Sequence, residues 1–117
     1  MIDAHNHLHD TAAFAPVETV FQRAMEAGVR RMICNAARES DWQTVLQLAE
    51  QYPLSITPAL GIHPWYVAET QDGWQDRLAT LLHVLITMPV LSLMRITIRK
   101  GLVFLVLLLV NCVRKTS

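Results

Sequence analysis

Ile2-Asp3-Ala4-His5-Asn6-His7-Leu8-His9 is the stretch on which the fold turns. It reads as a short apolar lead running into a histidine-rich turn. On an extended backbone alternate side chains point the same way, so His5 and His7 project together and His9 can join them. Two imidazoles converging at a strand end make half of a divalent-metal site. Four ligands or waters are needed to complete one, so the other donors must come from elsewhere in the chain. Asp3 falls on the same side and is expected to orient an imidazole as an acceptor. Spacing alone leaves open a second reading, three surface histidines in a polar turn.

Outward from this stretch, strand-like and helix-like segments alternate. Pro16 opens a helical pattern, a position that tolerates proline. Val17, Val20, Phe21, Ala24 and Ala27 recur at helical spacing, and Gly28 is the expected stop. Val29–Ala36 reads as a strand with an apolar centre. Ser40 is expected to cap a second helix, with Gln43 completing a capping box. Its buried stripe is Trp42, Val45, Leu46 and Ala49, and Pro53 ends it. Ser55–Ile62 is a third strand candidate, closing on Gly61-Ile62-His63-Pro64. Trp74, Leu78, Leu81, Leu82 and Leu85 mark a third helix. The order β-α-β-α-β-α predicts parallel pairing with right-handed crossovers.

In parallel α/β folds the C-terminal ends of the strands hold the site. His5, His7 and His63 would then share one rim. Alternatively His63 is a loop histidine stiffened by Pro64. Trp65 and Tyr66 either shape a substrate rim or cover the core, and core cover is the expectation. His83, on the third helix, reads as structural. Arg30-Arg31 and Arg99-Lys100 read as solvated pairs.

Composition narrows the class. A chain of 117 residues, 52% hydrophobic and formally neutral, suits one domain and excludes a disordered polymer or a strongly charged tail. The neutrality is uneven. All ten acids precede position 77, whereas Arg95, Arg99, Lys100, Arg114 and Lys115 face no acid after it. Cys34 and Cys112 give no disulfide framework, and Cys34 reads as a buried thiol. Met1–His5 lacks the features of a signal peptide, so a cytoplasmic location is expected. After His83 the caps and the amphipathic period stop. Gly101–Val113 is almost pure hydrocarbon but only 13 residues long, against about 20 for a membrane span.

Three landmarks, taken together, resemble a known family. Ile2-Asp3-Ala4-His5-Asn6-His7-Leu8 comes first. Ala27-Gly28-Val29 leading into Met32-Ile33-Cys34 follows, and Pro58-Ala59-Leu60-Gly61-Ile62-His63-Pro64 is third. Over residues 1–83 the chain is similar to the N-terminal part of the TatD-type metal-dependent hydrolases, which are amidohydrolase-like TIM barrels. The resemblance implies a (β/α)8 barrel and two divalent metal ions per site. It implies that His5 and His7 bind metal and that His63 lines the substrate-binding site. The implied chemistry is phosphodiester hydrolysis, typically of DNA, with nucleic acid as partner and no stable protein partner.

The same resemblance implies a metal-bridging glutamate in a G-E-x-G-x-D type motif near residues 88–98, then two more histidines and an aspartate. The sequence there is Met88-Pro89-Val90-Leu91-Ser92-Leu93-Met94-Arg95-Ile96-Thr97-Ile98. No glutamate follows Glu69, no aspartate Asp76 and no histidine His83. A TIM barrel takes roughly 250 residues, so three β/α units cannot close one. The expectation is an α/β fold comprising the first three β/α units of a TIM barrel, truncated. Residues 1–83 form this part, and 84–117 an apolar, basic, non-family tail read out of frame. Such a chain is a catalytically incomplete fragment. The alternative is a small membrane-associated protein anchored by the basic-flanked apolar tail. A third reading is a metal-binding module without catalysis.

Overall fold

The computed structural model describes residues 1–13 and 15–87; of the tail expected over residues 84–117, out of frame or membrane-associating, the part from residue 88 on lies outside the described residues. Three parallel strands form one sheet in the order β1 (Ile2–Asn6), β2 (Arg31–Asn35), β3 (Ile56–Ala59). Helix α1 (Val17–Glu26) joins β1 to β2, α2 (Trp42–Gln51) joins β2 to β3, and α3 (Trp74–Thr87) follows β3. Neighbours in sequence are neighbours in the sheet, the arrangement of successive β/α units. Strands β2 and β3 are shorter than the runs 29–36 and 55–62 expected for them. Helix α3 runs on through Val84 to Thr87.

Local chemistry explains the element ends. Pro16 occupies the position before α1 with φ −54. Gly28, at φ +89, ends that helix in a left-handed turn. There Gly28 N–H donates to Met25 O and Val29 N–H to Ala24 O, closing the last turn on its own carbonyls. Helix α2 is not capped by Ser40. Its start is set by Asp41, whose Oδ2 accepts the backbone N–H of Ala37 and of Arg38, both at 2.9 Å. A carboxylate one residue further on reaches both amides of the preceding bend through one oxygen, and this arrangement displaces the expected Ser40–Gln43 box.

The core lies between the sheet and the helices. Cys34, Val45, Ala49 and Leu60 are fully enclosed, with Met32, Ile56, Ile62 and Leu78 around them. Each enclosed valine or leucine side chain is worth about 1.5–3 kcal/mol over exposure. Leu48 joins Trp42, Val45 and Ala49 on the buried face of α2, while Leu46 is only half-buried. Trp42 also donates Nε1–H to Gly61 O at 2.9 Å, tying α2 to the exit of β3. Helix α1 buries no residue completely. It is held by Val20, Ala24 and a stacked Phe21–Tyr52 pair with ring centroids 4.0 Å apart.

One irregularity positions the site. Asp3 pairs with Met32 but Asn6 pairs with Cys34, so β1 uses one extra residue between them. This is a bulge at Ala4-His5. A bulge shifts the phase of alternation and re-aims the residues after it.

Candidate functional site

The C-terminal ends of the three strands meet at an open cleft of about 210 Å3. His7, His9, Asp10, Arg38, Asp41 and His63 line it, with Trp65 and Tyr66 on its rim. The structure therefore brings His63 together with His7 and His9. His5 is exposed and lies outside the lining, with its ring edge-on to His7 at 5.1 Å.

Asp3 does not reach an imidazole. Its Oδ1 accepts the His5 backbone N–H at 3.2 Å, and its Oδ2 accepts Asn6 Nδ2 at 3.0 Å. The bulge is the reason: it takes His7 out of phase with Asp3, and the Asp3 carboxylate instead satisfies the His5 amide at the irregular step.

His7 Nδ1 lies 2.6 Å from Asn35 O. A carbonyl only accepts, so Nδ1 carries the proton and Nε2 presents its lone pair. A backbone carbonyl fixing one ring nitrogen so that the other can ligate is the usual support of a metal-binding histidine. Asn35 is itself buried, and its Nδ2 donates to Ile33 O at 3.0 Å and to Asn6 O at 3.4 Å. The end of β2 is thus pinned to the end of β1 beneath the histidines.

His9 joins the cluster as a strut. Its Nε2 lies 3.4 Å from Asp41 Oδ2 and its Nδ1 3.5 Å from Cys34 Sγ. The self-consistent assignment has Nε2–H donating to the carboxylate and Nδ1 accepting from the thiol. Both ring nitrogens are occupied, so His9 is not placed to ligate an ion. Burial pushes the Cys34 thiol above its usual range, which keeps the S–H that this bond uses. Burial also works against charge on Asp41. The amides of Arg38 and Ala37 and the neighbouring His9 outweigh it, and the carboxyl sits below its ordinary value.

His63 follows β3. Its backbone N–H donates to Ala37 O at 2.7 Å. Its Nδ1 accepts the Trp65 N–H at 3.2 Å, capping the short turn Pro64–Glu69. The neutral ring then carries its proton on Nε2, a donor suited to a phosphate oxygen. Trp65 does not cover core: it is 82% exposed. Tyr66 packs partly on the core and also lies under Arg38, whose Cζ is 3.9 Å from the ring centroid. His83, on the exposed side of α3, is not among the cleft residues.

Asp10, Asn35, Arg38 and Asp41 are the site residues that sequence spacing did not single out. Only Asp41 carried a usable signal, an acid just ahead of an amphipathic run. Among the described residues no three His, Cys, Asp or Glu side chains converge closely enough to enclose an ion. None of the described helices is long and apolar enough to cross a membrane.

Comparison with known proteins follows the same lines. The family model described as TatD related DNase matches residues 2–89. A putative deoxyribonuclease, tatdn3, of Danio rerio is 33% identical over 63 residues, covering 54% of this chain and 24% of the relative. An uncharacterized metal-dependent hydrolase of Haemophilus influenzae is 29% identical over 73 residues, 61% of this chain and 28% of the relative. The Cut9-interacting protein scn1 of Schizosaccharomyces pombe is 38% identical over 66 residues, 56% of this chain and 18% of the relative. The matched part of the chain thus spans less than a third of each of these proteins.

Proposed function

The chain belongs to the TatD related DNase family, and from that premise we propose that it carries the histidine half of a divalent-metal centre for hydrolysing phosphodiester bonds in nucleic acid. The observation that carries this reading is the His7 Nδ1–Asn35 O hydrogen bond at 2.6 Å. It leaves the Nε2 lone pair available for an ion at the strand end, where the His5 ring lies edge-on 5.1 Å away. His5 and His7 would hold the ion, and imidazole suits the divalent transition metals. When bound, a divalent ion supplies Lewis-acid neutralisation of charge developing on phosphate oxygens. His63 would donate Nε2–H to a phosphate oxygen from the facing side of the cleft.

The donor set is half of what such a centre needs. The described residues bring no third ligand to His5 and His7, and the sequence holds no glutamate beyond Glu69 and no histidine beyond His83. In this reading the 117-residue chain binds an ion weakly and does not cleave DNA unaided. The acid-free stretch 84–117 is read as out-of-frame sequence. The nucleotide sequence tests that point: a G-E-x-G-x-D motif in another frame supports it, and its absence from both other frames refutes it.

Isothermal titration of the chain with Mn2+ or Zn2+, beside a labelled-oligonucleotide cleavage assay, tests the site. Weak binding abolished in the His5→Ala, His7→Ala double variant, without cleavage, is the expected result. Undiminished binding in the double variant overturns the metal assignment. Cleavage by the wild-type chain overturns its incompleteness.

A further inference from the structure

Trp65 is the largest side chain the fold leaves in solvent, 82% exposed at the mouth of the histidine cleft. His63 braces it edge-on, with ring centroids 5.0 Å apart at 69°. The short turn that carries Trp65 is anchored by the His63 cap and by Thr70 Oγ1 donating to Tyr66 O at 2.6 Å. The indole is therefore held in place by its neighbours and offers an open face.

Beside it stands the Arg38 cation. Arg38 lies flat over Tyr66, and among the described residues no carboxylate pairs with its guanidinium. Its two acidic neighbours in sequence, Glu39 and Asp41, are engaged elsewhere, and neither Glu69 nor Asp10, which share its two hollows, forms an ion pair with it. Glu39 takes a two-pronged contact from Arg77, at 2.5 and 2.9 Å, and Asp41 is used by two amides and His9. Arg38 and Tyr66 also line a second hollow of about 210 Å3, with Glu39, Ser40, Glu69 and Thr70. They form the ridge between it and the histidine cleft. An open aromatic face, a guanidinium and a hollow on each side of the ridge match the alternating flat bases and anionic phosphates of a polynucleotide.

We propose that Trp65 is a stacking platform for a nucleobase adjoining the phosphate in the histidine cleft, and that Arg38 binds the next phosphate on the ridge. This subsite rests on the nucleic-acid reading above and specifies how that substrate is gripped.

The test is fluorescence anisotropy with the full chain and calcium. It uses a labelled short oligothymidylate and an abasic strand of equal length. The base-bearing strand should bind about fivefold to a hundredfold more tightly. Trp65→Ala should bring the two strands to parity, and Trp65→Phe should keep part of the preference. Arg38→Gln should weaken both strands alike and lower the salt slope by about one. Circular dichroism should be unchanged in Trp65→Ala, since the side chain is exposed. Equal binding of both strands by wild type, an unaffected Trp65→Ala, or no binding of either strand overturns the proposal. A base preference with no ion bound through His5 and His7 refutes the metal-centre reading and leaves the subsite. Ion binding lost in the His5→Ala, His7→Ala double variant, without a base preference, does the reverse.

Discussion

Replacing Asp41 should loosen the whole rim of the cleft, and the cost can be worked from its contacts. One oxygen, Oδ2, accepts the amides of Ala37 and Arg38 at 2.9 Å each and faces His9 Nε2 at 3.4 Å. Hydrogen bonds to a charged group contribute about 1.5–3 kcal/mol each when sheltered. The Ala37 bond is partly buried and the Arg38 bond exposed, so water recovers much of the second. Asp41→Ala should therefore cost about 2–4 kcal/mol, a large part of the stability of a small domain. Asp41→Asn keeps a neutral acceptor and should cost about half as much. The pH dependence has a defined sign. The folded carboxyl lies below its ordinary 3.8, so its contribution is complete above that value and fades as pH falls through the lower folded value. Urea unfolding followed by circular dichroism, at about pH 7 and about pH 3, measures both effects. If Asp41→Ala loses its cooperative transition, Asp41→Asn still gives the number. A change under about 0.5 kcal/mol in Asp41→Ala, or a penalty that grows in acid, would refute the reasoning.

Three further outcomes follow from single features. Gly28→Ala should lower the melting temperature, because φ +89 costs an L residue about 1–2 kcal/mol even though a Cβ there would meet nothing within 4 Å. A thermal scan matching wild type would show that the turn relaxes. Cys34 is enclosed and its thiol is pushed up by burial, so in a Cys112→Ser variant a disulfide reagent should label it only on unfolding; rapid labelling of that native variant would contradict the packing. Nitrogen NMR of His7 in its neutral form should find the proton on Nδ1, held by Asn35 O. A dominant Nε2–H form would remove the basis for ligation through that atom.

The sequence reading succeeded where a local rule acts alone. Helical periodicity located all three helices, and the Gly28 stop coincides with the end of α1. The parallel pairing followed from alternation with helices. It went astray where a side chain answers to a non-local partner. Ser40 lost the capping role because Asp41 reaches back to two amides of the preceding bend. Asp3 missed the imidazoles because β1 carries an extra residue, and no pattern in Ile2–Asn6 announces a bulge that depends on the register against β2. Asn35 was invisible because its main role, the contact to His7, uses a backbone carbonyl that every residue possesses. Trp65 violated the expectation that a tryptophan covers core, since the turn that carries it points outward.

The exit of β2 serves both of its neighbours. Asn35 O holds the His7 ring, and two residues on, Ala37 O holds the His63 amide. Both contacts use main chain on the β2 side, so the gap across the cleft is set by how many residues lie there rather than by which ones. Descendants of this segment can exchange the Ala37 side chain and keep the gauge between the two histidines, whereas Asn35 also ties β2 to β1 through its side chain. Adding or removing a single residue between 35 and 37 would change it. The segment is in that sense a ruler, tolerant of spelling and intolerant of length.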